Sequence, residues 1–259
     1  ALFGSIVVAH LVISRKIRII HARSVVPAVM SLAARFFGAR VIFDTRGLLA
    51  EEYVGGGHWK EGGFKYKVVK FFERVCLKAA DYIVVLTVRH RDYLLRVPWR
   101  WNKGINQRIE VVPCCVDLDR FAFRHNSRVE PQGLIFSYLG KIDKHYMFEE
   151  MLDFLKVAFE ILPGSKFMII TQDDRRRIES AVLRKGLNPD RIILKKPAFC
   201  EIPPLISSSG AGLFFINPYK KFGSSPIKLG EFLSCGIPVI INGGVGDTEE
   251  LVNFNRVGV

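Results

Sequence analysis

The sequence lacks several features that would assign it to a class at once. No apolar run approaches the roughly 20 residues that a bilayer-spanning helix needs, and the most apolar segment, residues 1–13, is interrupted by Gly4, Ser5 and His10. The five cysteines show no CxxC spacing, which argues against a zinc site. Patterns typical of helix-turn-helix, RNA-recognition and zinc-finger modules are also missing. We therefore predict an amphipathic or buried helix over residues 1–13, small buried thiols in a reducing compartment, and no metal.

Acidic residues are scarce, and their shortage is uneven. The chain has 25 Asp and Glu against 38 Lys and Arg, a net charge of +13. Residues 1–122 hold 20 basic and 10 acidic side chains, so this half carries most of the excess. Such an asymmetry suggests that the first half meets an anionic partner, either nucleic acid or a membrane surface.

Short apolar strands alternate with helical segments along the chain, which is the pattern of parallel sheets covered on both faces. The strands are predicted at 17–21, 40–44, 82–87, 108–113, 134–140, 166–171, 191–194, 211–216 and 237–241. Helices are predicted at 27–37, 63–80, 88–95, 148–162, 175–185, 202–207 and 227–234, with Gly186 as the stop after Lys185. The rhythm breaks in a polar stretch after Pro113. We therefore predict two α/β domains, residues 1–122 and 123–259.

The most informative segment is SSPIKLGEFLSCGIPVIINGGVGDTEE, residues 224–250. It predicts a Ser-Ser-Pro turn, a short helix, a buried strand, and a glycine-rich turn into another helix. A helix N-terminus opened by Ser224, Ser225 and Pro226 presents unpaired N–H groups and suits a phosphate. Lys228 adds a positive charge there, and Glu231 offers a carboxylate to sugar hydroxyls. Together these features indicate a nucleotide site, although an ordinary helix cap before a core strand is the alternative.

This segment resembles the donor site of the family 4 glycosyltransferases, in which a stretch like SPxKLxEYLxxGxPVI holds a nucleotide-diphosphate sugar. The matching residues are Ser225, Pro226, Lys228, Leu229, Glu231, Gly236, Pro238 and Val239. The stretch VVPCCVDLDRF also resembles the interdomain segment of that family. The resemblance implies the GT-B fold, in which two doubly wound Rossmann-like domains face a cleft. It further implies that the first strand and the C-terminal helix lie outside this chain, which we read as truncated at both ends.

Two lysines follow the predicted strand that opens the second half. In the family a basic pair at this place grips the diphosphate, which stabilises the transition state. The resemblance assigns that role to Lys141 after Gly140, and more loosely to Lys144. Two solvated loop lysines are the alternative. The acidic residues of TQDD, 171–174, follow the next strand, where relatives contact the base, but they equally suit the first turn of a helix.

One position departs from the family pattern. Many members carry two glutamates eight positions apart, the first near the transferred sugar and the second on the ribose. Glu231 fits the second, but Gly223 stands at the first. We predict that backbone amides from Gly223 to Ser225 contact the sugar instead.

The first half offers candidates for the acceptor side. His21 with Arg23, and Asp44 with Arg46 and the pair Glu51–Glu52, follow predicted strands. The resemblance places Asp44 near the reacting carbon, where a carboxylate could accept the acceptor's proton or stabilise an oxocarbenium-like centre. We predict catalytic roles for Asp44, Arg46 and Lys141. An Asp44–Arg46 ion pair that holds the loop is the alternative.

Residues 88–108 bring six Arg and Lys together with Trp99 and Trp101. Aromatic rings among basic groups suit a lipid headgroup layer or single-stranded nucleic acid, and a solvated basic loop is the plain alternative. Because the family uses lipid-linked acceptors, we predict peripheral membrane contact and no nucleic-acid partner.

The resulting hypothesis is a hexosyltransferase that moves a sugar from a UDP or GDP sugar, without a metal cofactor, to a glycan or lipid-linked acceptor. The family implies retention of configuration, bacterial cell-surface polysaccharide synthesis, and a cytoplasmic location at the inner face of the plasma membrane. A GT-B nucleotide-sugar epimerase and a basic nucleic-acid-binding module are the rival hypotheses.

Overall fold

The computed structural model describes residues 2–96, 108–122 and 133–259. They form two compact units, which are not two continuous stretches of chain. Unit 1 comprises Ala1–Pro113, Tyr219–Ser225 and Gly244–Asp247, and unit 2 comprises Cys114–Pro218, Pro226–Gly243 and Thr248–Val259. The main boundary between the units therefore lies at Cys114, and the loops Tyr219–Ser225 and Gly244–Asp247 of the second half belong to unit 1.

Unit 1 is built on a four-stranded parallel sheet whose strands follow chain order, β1-β2-β3-β4. The strands are β1 (Ile19–Arg23), β2 (Arg40–Asp44), β3 (Tyr82–Val85) and β4 (Ile109–Val111). The helices are α1 (Leu2–Arg15), α2 (Val25–Leu32), α3 (Leu49–Gly55), α4 (Phe64–Ala79) and α5 (Val88–Arg96). Phe43 is fully buried between its register partners Ala22 and Ile83, so the apolar rows that predicted the strands also form the core.

The helix predicted over residues 27–37 differs from the one observed. α2 begins at Val25, and the chain tightens into a 3-10 helix over Ala33–Phe37. Pro27 is tolerated because the first N–H groups of a helix have no partner within it. α3 was not among the predicted helices, although the acidic pair Glu51–Glu52 occupies its first turn.

The N-terminal segment forms α1, as predicted, but this helix is amphipathic in a weak sense only. Val12 is its one buried side chain and packs near Ala34 and Ala39. Leu2 and Phe3 are largely exposed. No helix within the described ranges is both long and apolar enough to cross a bilayer.

Unit 2 has a five-stranded parallel sheet in the order β7-β6-β5-β8-β9. Its strands are β5 (Ile135–Leu139), β6 (Lys166–Ile170), β7 (Ile192–Lys195), β8 (Ala211–Phe214) and β9 (Val239–Ile241). Its helices are α6 (Phe148–Ile161), α7 (Arg175–Arg184), α8 (Ile202–Ser207), α9 (Ile227–Ser234) and α10 (Thr248–Asn255). Gly186, at φ 71°, ends α7 as predicted, because glycine adopts this left-handed conformation without strain.

The cysteines correct one expectation. Cys76 and Cys235 are buried, and burial raises the pKa of the Cys76 thiol to about 12. Cys115 and Cys200 are exposed and Cys114 is half-buried, so the apolar neighbours of these three in sequence do not enclose them.

Candidate functional site

The strand order of unit 2 reverses beside its central strand. The chain moves outward from β5 through β6 to β7, then returns to the other side of β5 with β8 and β9. Ligands of open parallel sheets bind beyond the carboxyl ends of the strands at such a reversal. Gly140, at φ 130°, follows β5 at this point, so a ligand site is expected around Gly140.

Lys228 lies next to Gly140. A Cβ atom added to Gly140 would stand 2.9 Å from the Lys228 Nζ. The Lys228 side chain is 7% exposed, and its ammonium nitrogen is buried without a hydrogen-bond partner among the described residues. Such a group is rare, because a buried charge without a partner is costly.

Aromatic rings surround the Lys228 ammonium instead. Nζ lies 3.7 Å from the ring centroid of Tyr146, 4.5 Å from that of Tyr138 and 5.7 Å from that of Phe214. These distances fall within the range of cation–π attraction, about 6 Å. The rings come from β5, β8 and the loop before α6, so the fold of unit 2 builds this aromatic cage.

The electrostatics of the site follow from burial. Burial lowers the pKa of Lys228 to about 7, against the opposing effect of Glu231 and Asp143. Burial also raises the pKa of Glu231, and the nearby Lys228 partly offsets this change. Glu231 is half-buried, three residues further along α9. The site therefore combines a desolvated cation with a carboxylate that remains open to a ligand.

The residues that open α9 divide between the two units. Pro226 is the N-cap and Leu229 is buried on the inner side of the helix, both in unit 2. Gly223, Ser224 and Ser225 group with unit 1. The Ser224 N–H donates to the Lys221 carbonyl over 3.1 Å, so this amide already serves the turn. Sugar contact by the amides from Gly223 to Ser225 stays a prediction.

The two predicted phosphate lysines are both exposed in unit 2. The Tyr138 hydroxyl donates to the carbonyl of Lys141 and thereby fixes the backbone there. Lys144 lines a cavity of about 270 Å³ together with Tyr146, Arg177 and Arg184. The structure gives Lys141 a defined backbone position and leaves both side chains in solvent.

Both aspartates of TQDD accept hydrogen bonds from backbone N–H groups of unit 2. Asp174 caps α7 by accepting from the Arg176 N–H over 3.0 Å, and Asp173 accepts from the Ile142 N–H. Both residues line a cavity of about 250 Å³ at the carboxyl ends of β6 and β7, together with Thr171 and Lys195. The Asp173–Ile142 bond couples this cavity to the loop that follows β5.

In unit 1, Asp44 ends β2 and is buried. Its Oδ2 atom lies 3.4 Å from the His21 Nε2 and 3.8 Å from the Arg23 Nε, and its Oδ1 accepts from the Arg46 N–H over 3.1 Å. Arg46 is exposed at φ 57°. The partners of the Asp44 carboxylate are therefore His21 and Arg23, and Arg46 contributes its backbone rather than its guanidinium.

Unit 1 contains a buried ionic cluster that the sequence analysis does not predict. Lys70 Nζ contacts Glu73 Oε1 at 2.7 Å and Glu51 Oε1 at 3.1 Å, and the Tyr66 hydroxyl donates to Glu51. The Oε2 atoms of both glutamates have no partner within the described ranges. The spacing of three residues between Lys70 and Glu73 was the available signal that they pair.

The loop of Gly223 packs tightly inside unit 1. A Cβ atom at Gly223 would lie 2.8 Å from the Gly47 Cα and 2.8 Å from the His90 Nδ1. His90 is fully buried, and burial lowers its pKa to about 4 with a contribution from Lys70. A side chain at position 223 therefore requires the Gly47 backbone or the His90 ring to shift, which accounts for glycine at this position.

The basic aromatic segment 88–108 falls partly outside the described residues, including Trp99 and Trp101. Of its described part, α5 is anchored by Asp247, which accepts from the N–H groups of Val88 and Arg89 over 2.6 and 3.0 Å. Arg96 at the end of α5 is exposed. In the described ranges, no group of three or more His, Cys, Asp and Glu is arranged to hold a metal ion.

The fold is that of the GT-B glycosyltransferases. No family model and no curated protein sequence matches the chain. Solved structures match the chain. A glycosyltransferase from Rickettsia africae has 17% identity and a TM-score of 0.70, over 99% of this chain and 65% of its own. Sucrose-phosphate synthase from Thermosynechococcus elongatus has 18% identity and a TM-score of 0.69, over 93% of this chain and 59% of its own.

A structure described as a UDP-N-acetylglucosamine 2-epimerase, from Listeria monocytogenes, has this fold as well. It matches with 12% identity and a TM-score of 0.58, over 99% of this chain and 65% of its own. This chain thus spans about 59% to 65% of the length of these three structures. Because transferases and an epimerase share the fold, the fold alone does not select the reaction.

Proposed function

We propose that unit 2 binds a nucleotide-diphosphate sugar at the carboxyl end of β5, and that the protein is a glycosyltransferase. The observation that carries this proposal is the Lys228 ammonium, buried without a hydrogen-bond partner among the described residues, beside the strand-order reversal. A diphosphate supplies several strong acceptors and a negative charge, which this group lacks.

The other parts of the nucleotide sugar find matching chemistry nearby in unit 2. Glu231, one turn further along α9, accepts hydrogen bonds from the ribose hydroxyls. The cavity at the ends of β6 and β7 is the proposed place of the base. Lys141 and Lys144, both exposed, close onto the phosphates as the ligand arrives, and the N-terminus of α9 after Pro226 adds its dipole.

The acceptor side belongs to unit 1. We propose that Asp44, held by His21 and Arg23, orients or deprotonates the acceptor hydroxyl. Three further proposals rest on the resemblance to family 4 glycosyltransferases. The acceptor is a glycan or lipid-linked sugar of a cell-surface polysaccharide, a hexose is transferred with retention of configuration, and no metal is required. The cytoplasmic location rests on the same resemblance, and so does membrane contact through residues 88–108, which cosedimentation of the full-length protein with anionic vesicles would test.

The donor site is tested by calorimetry with UDP-glucose, UDP-N-acetylglucosamine and GDP-mannose. We expect at least one to bind, and we expect Glu231→Gln to weaken its binding at least tenfold, because the neutral amide loses charge-assisted hydrogen bonds to the ribose. Glu160→Gln, an exposed change on α6, is the matched control and leaves binding unchanged. Equal affinities of the Glu231→Gln variant and the unmodified chain would remove Glu231 from the site.

A nucleotide-sugar epimerase is the second candidate, because one structure with the same fold is described as an epimerase. Incubation of the full-length protein with the bound nucleotide sugar, without acceptor, separates the two reactions. An unchanged sugar supports transfer, and a sugar inverted at one carbon establishes the epimerase.

A further inference from the structure

The aromatic cage of Lys228 is rigidly assembled. The Tyr138 hydroxyl donates to the Lys141 carbonyl, and the rings of Tyr138 and Tyr146 meet edge to face at 5.9 Å. Tyr146 is held by its N–H bond to the Asp143 carbonyl, 3.1 Å, and by an isolated bridge to Ile216. Two tyrosines whose backbones are fixed independently therefore present their rings to one ammonium group.

The charged and titratable groups around Lys228 come from three elements. Tyr138 lies on β5, Asp143 and Tyr146 on the loop before α6, and Glu231 on α9, while β8 contributes the apolar Phe214. The two carboxylates act on Lys228 from beyond ion-pair distance, because no described carboxylate lies within 4 Å of its Nζ. The ammonium thus lies against aromatic rings and has no hydrogen-bond acceptor among the described residues, although water is largely excluded.

This arrangement has a consequence for protonation. Desolvation disfavours the charged form of a lysine, and an added anion in contact with it restores that form. Burial lowers the pKa of Lys228 to about 7, so at pH 8 most molecules hold the neutral amine. A bound diphosphate returns the pKa toward its ordinary value near 10.5, and the amine gains a proton from the solvent as the ligand binds.

We propose that Tyr138 and Tyr146 are positioning residues that hold Lys228 desolvated for the donor phosphate, so that donor binding takes up one proton at this side chain. This inference rests on the proposed function, and it deepens that function by making affinity for the donor depend on pH. The coupling between donor binding and proton uptake depends on the cage around Lys228. The other two lysines proposed to contact the phosphates, Lys141 and Lys144, are exposed and lack such a cage.

The experiment is calorimetry of the nucleotide sugar that binds in the panel above, at pH 8, in buffers of different ionisation enthalpy. A nucleotide-diphosphate sugar has no phosphate group that titrates near neutral pH, so proton uptake reports the protein. We expect nearly one proton per ligand, and an affinity that falls about tenfold per pH unit above pH 7.

Three variants isolate the contribution of the cage. Lys228→Arg keeps a permanent charge, so its affinity loses the pH dependence between 7 and 9. Tyr146→Leu removes the ring, lets water reach the ammonium and reduces the proton uptake, whereas Tyr146→Phe keeps the ring and preserves it. A purely structural tyrosine would change the affinity without changing the number of protons.

The outcomes separate the two proposals. Binding with no proton uptake and with the same affinity at pH 7 and pH 9 overturns this inference and leaves the proposed donor site standing. Failure of every nucleotide sugar to bind at any pH refutes the proposed function, and the inference with it. Proton uptake that persists unchanged in Lys228→Arg assigns the proton to another group and also overturns the inference.

Discussion

Replacement of Lys228 by methionine tests the energetics of the buried ammonium without any ligand. Methionine is unbranched and one atom shorter than lysine, fills most of the same cage and makes favourable contacts with aromatic rings, but it carries no charge. The change therefore removes the desolvation penalty and keeps the packing. We expect the variant to be more stable than the unmodified chain.

The magnitude follows from the pKa of Lys228. One pKa unit corresponds to about 1.4 kcal/mol, so a pKa of about 7 in the fold, against 10.5 for an ordinary lysine, corresponds to a penalty of roughly 5 kcal/mol below pH 7. The cation–π attraction of the ammonium already contributes to this pKa and is not subtracted again. At pH 7, Lys228→Met therefore stabilises unit 2 by about 4 kcal/mol.

The sign of the pH dependence follows from the depressed pKa. Between pH 7 and 10.5 the unfolded chain binds more protons at Lys228 than the folded chain, so the unfolding free energy of the unmodified protein rises with pH in this window. The variant lacks that rise. Its advantage consequently shrinks from pH 7 towards pH 10 by about 1.4 kcal/mol per unit.

The assay is amide hydrogen exchange of the β5 and α9 peptides at pH 7 and pH 9, with each variant compared with the unmodified chain at the same pH. Lys156→Met, a change of an exposed lysine on α6, is the matched control and leaves the protection unchanged. Two results would contradict a buried charge at Lys228. In one, β5 of Lys228→Met is less protected than β5 of the unmodified chain at pH 7. In the other, the gain in protection is the same at both pH values.

Two further predictions concern unit 1. Lys70→Met leaves Glu51 and Glu73 buried without their cation, so it destabilises unit 1 by about 3 to 5 kcal/mol; chemical denaturation followed by circular dichroism measures this, and an unchanged midpoint contradicts it. His90 has a pKa of about 4 in the fold against 6.5 ordinarily, so it makes unit 1 less stable as pH falls from 6.5 to 4, by about 3 kcal/mol in total. In His90→Leu the loss over this range is smaller by that amount, and equal slopes for the two proteins contradict the assignment.

The alternation of strands and helices was predictable because buried parallel strands appear as apolar runs in the sequence. Arg40–Asp44 is a strand with the predicted bounds, and Ile202–Ser207 and Ile227–Ser234 are helices with the predicted bounds. The reversal of strand order beside β5 was not predictable from these runs. It depends on which strands pair, and Phe136 and Ser137 pair with residues on both sides that are distant in sequence.

The candidate site was predictable where a short motif carries it and obscure where it depends on the fold. Lys228 and Glu231 stand in one local motif, and Gly140 ends an apolar strand, so each was identifiable alone. Tyr138 and Tyr146 gave no signal, because an aromatic residue in or beside a strand is ordinarily part of the core. Only the folded sheet brings their rings to a lysine some 80 to 90 positions further along.

The tight packing of Gly223 constrains how this loop can change over evolution. A side chain at position 223 would collide with the Gly47 backbone and the His90 ring together. A single substitution to glutamate would therefore lose stability before it gained any chemistry. A glutamate at position 223 therefore requires coordinated changes at positions 47 and 90. A library that varies position 223 alone is expected to yield mainly destabilised variants.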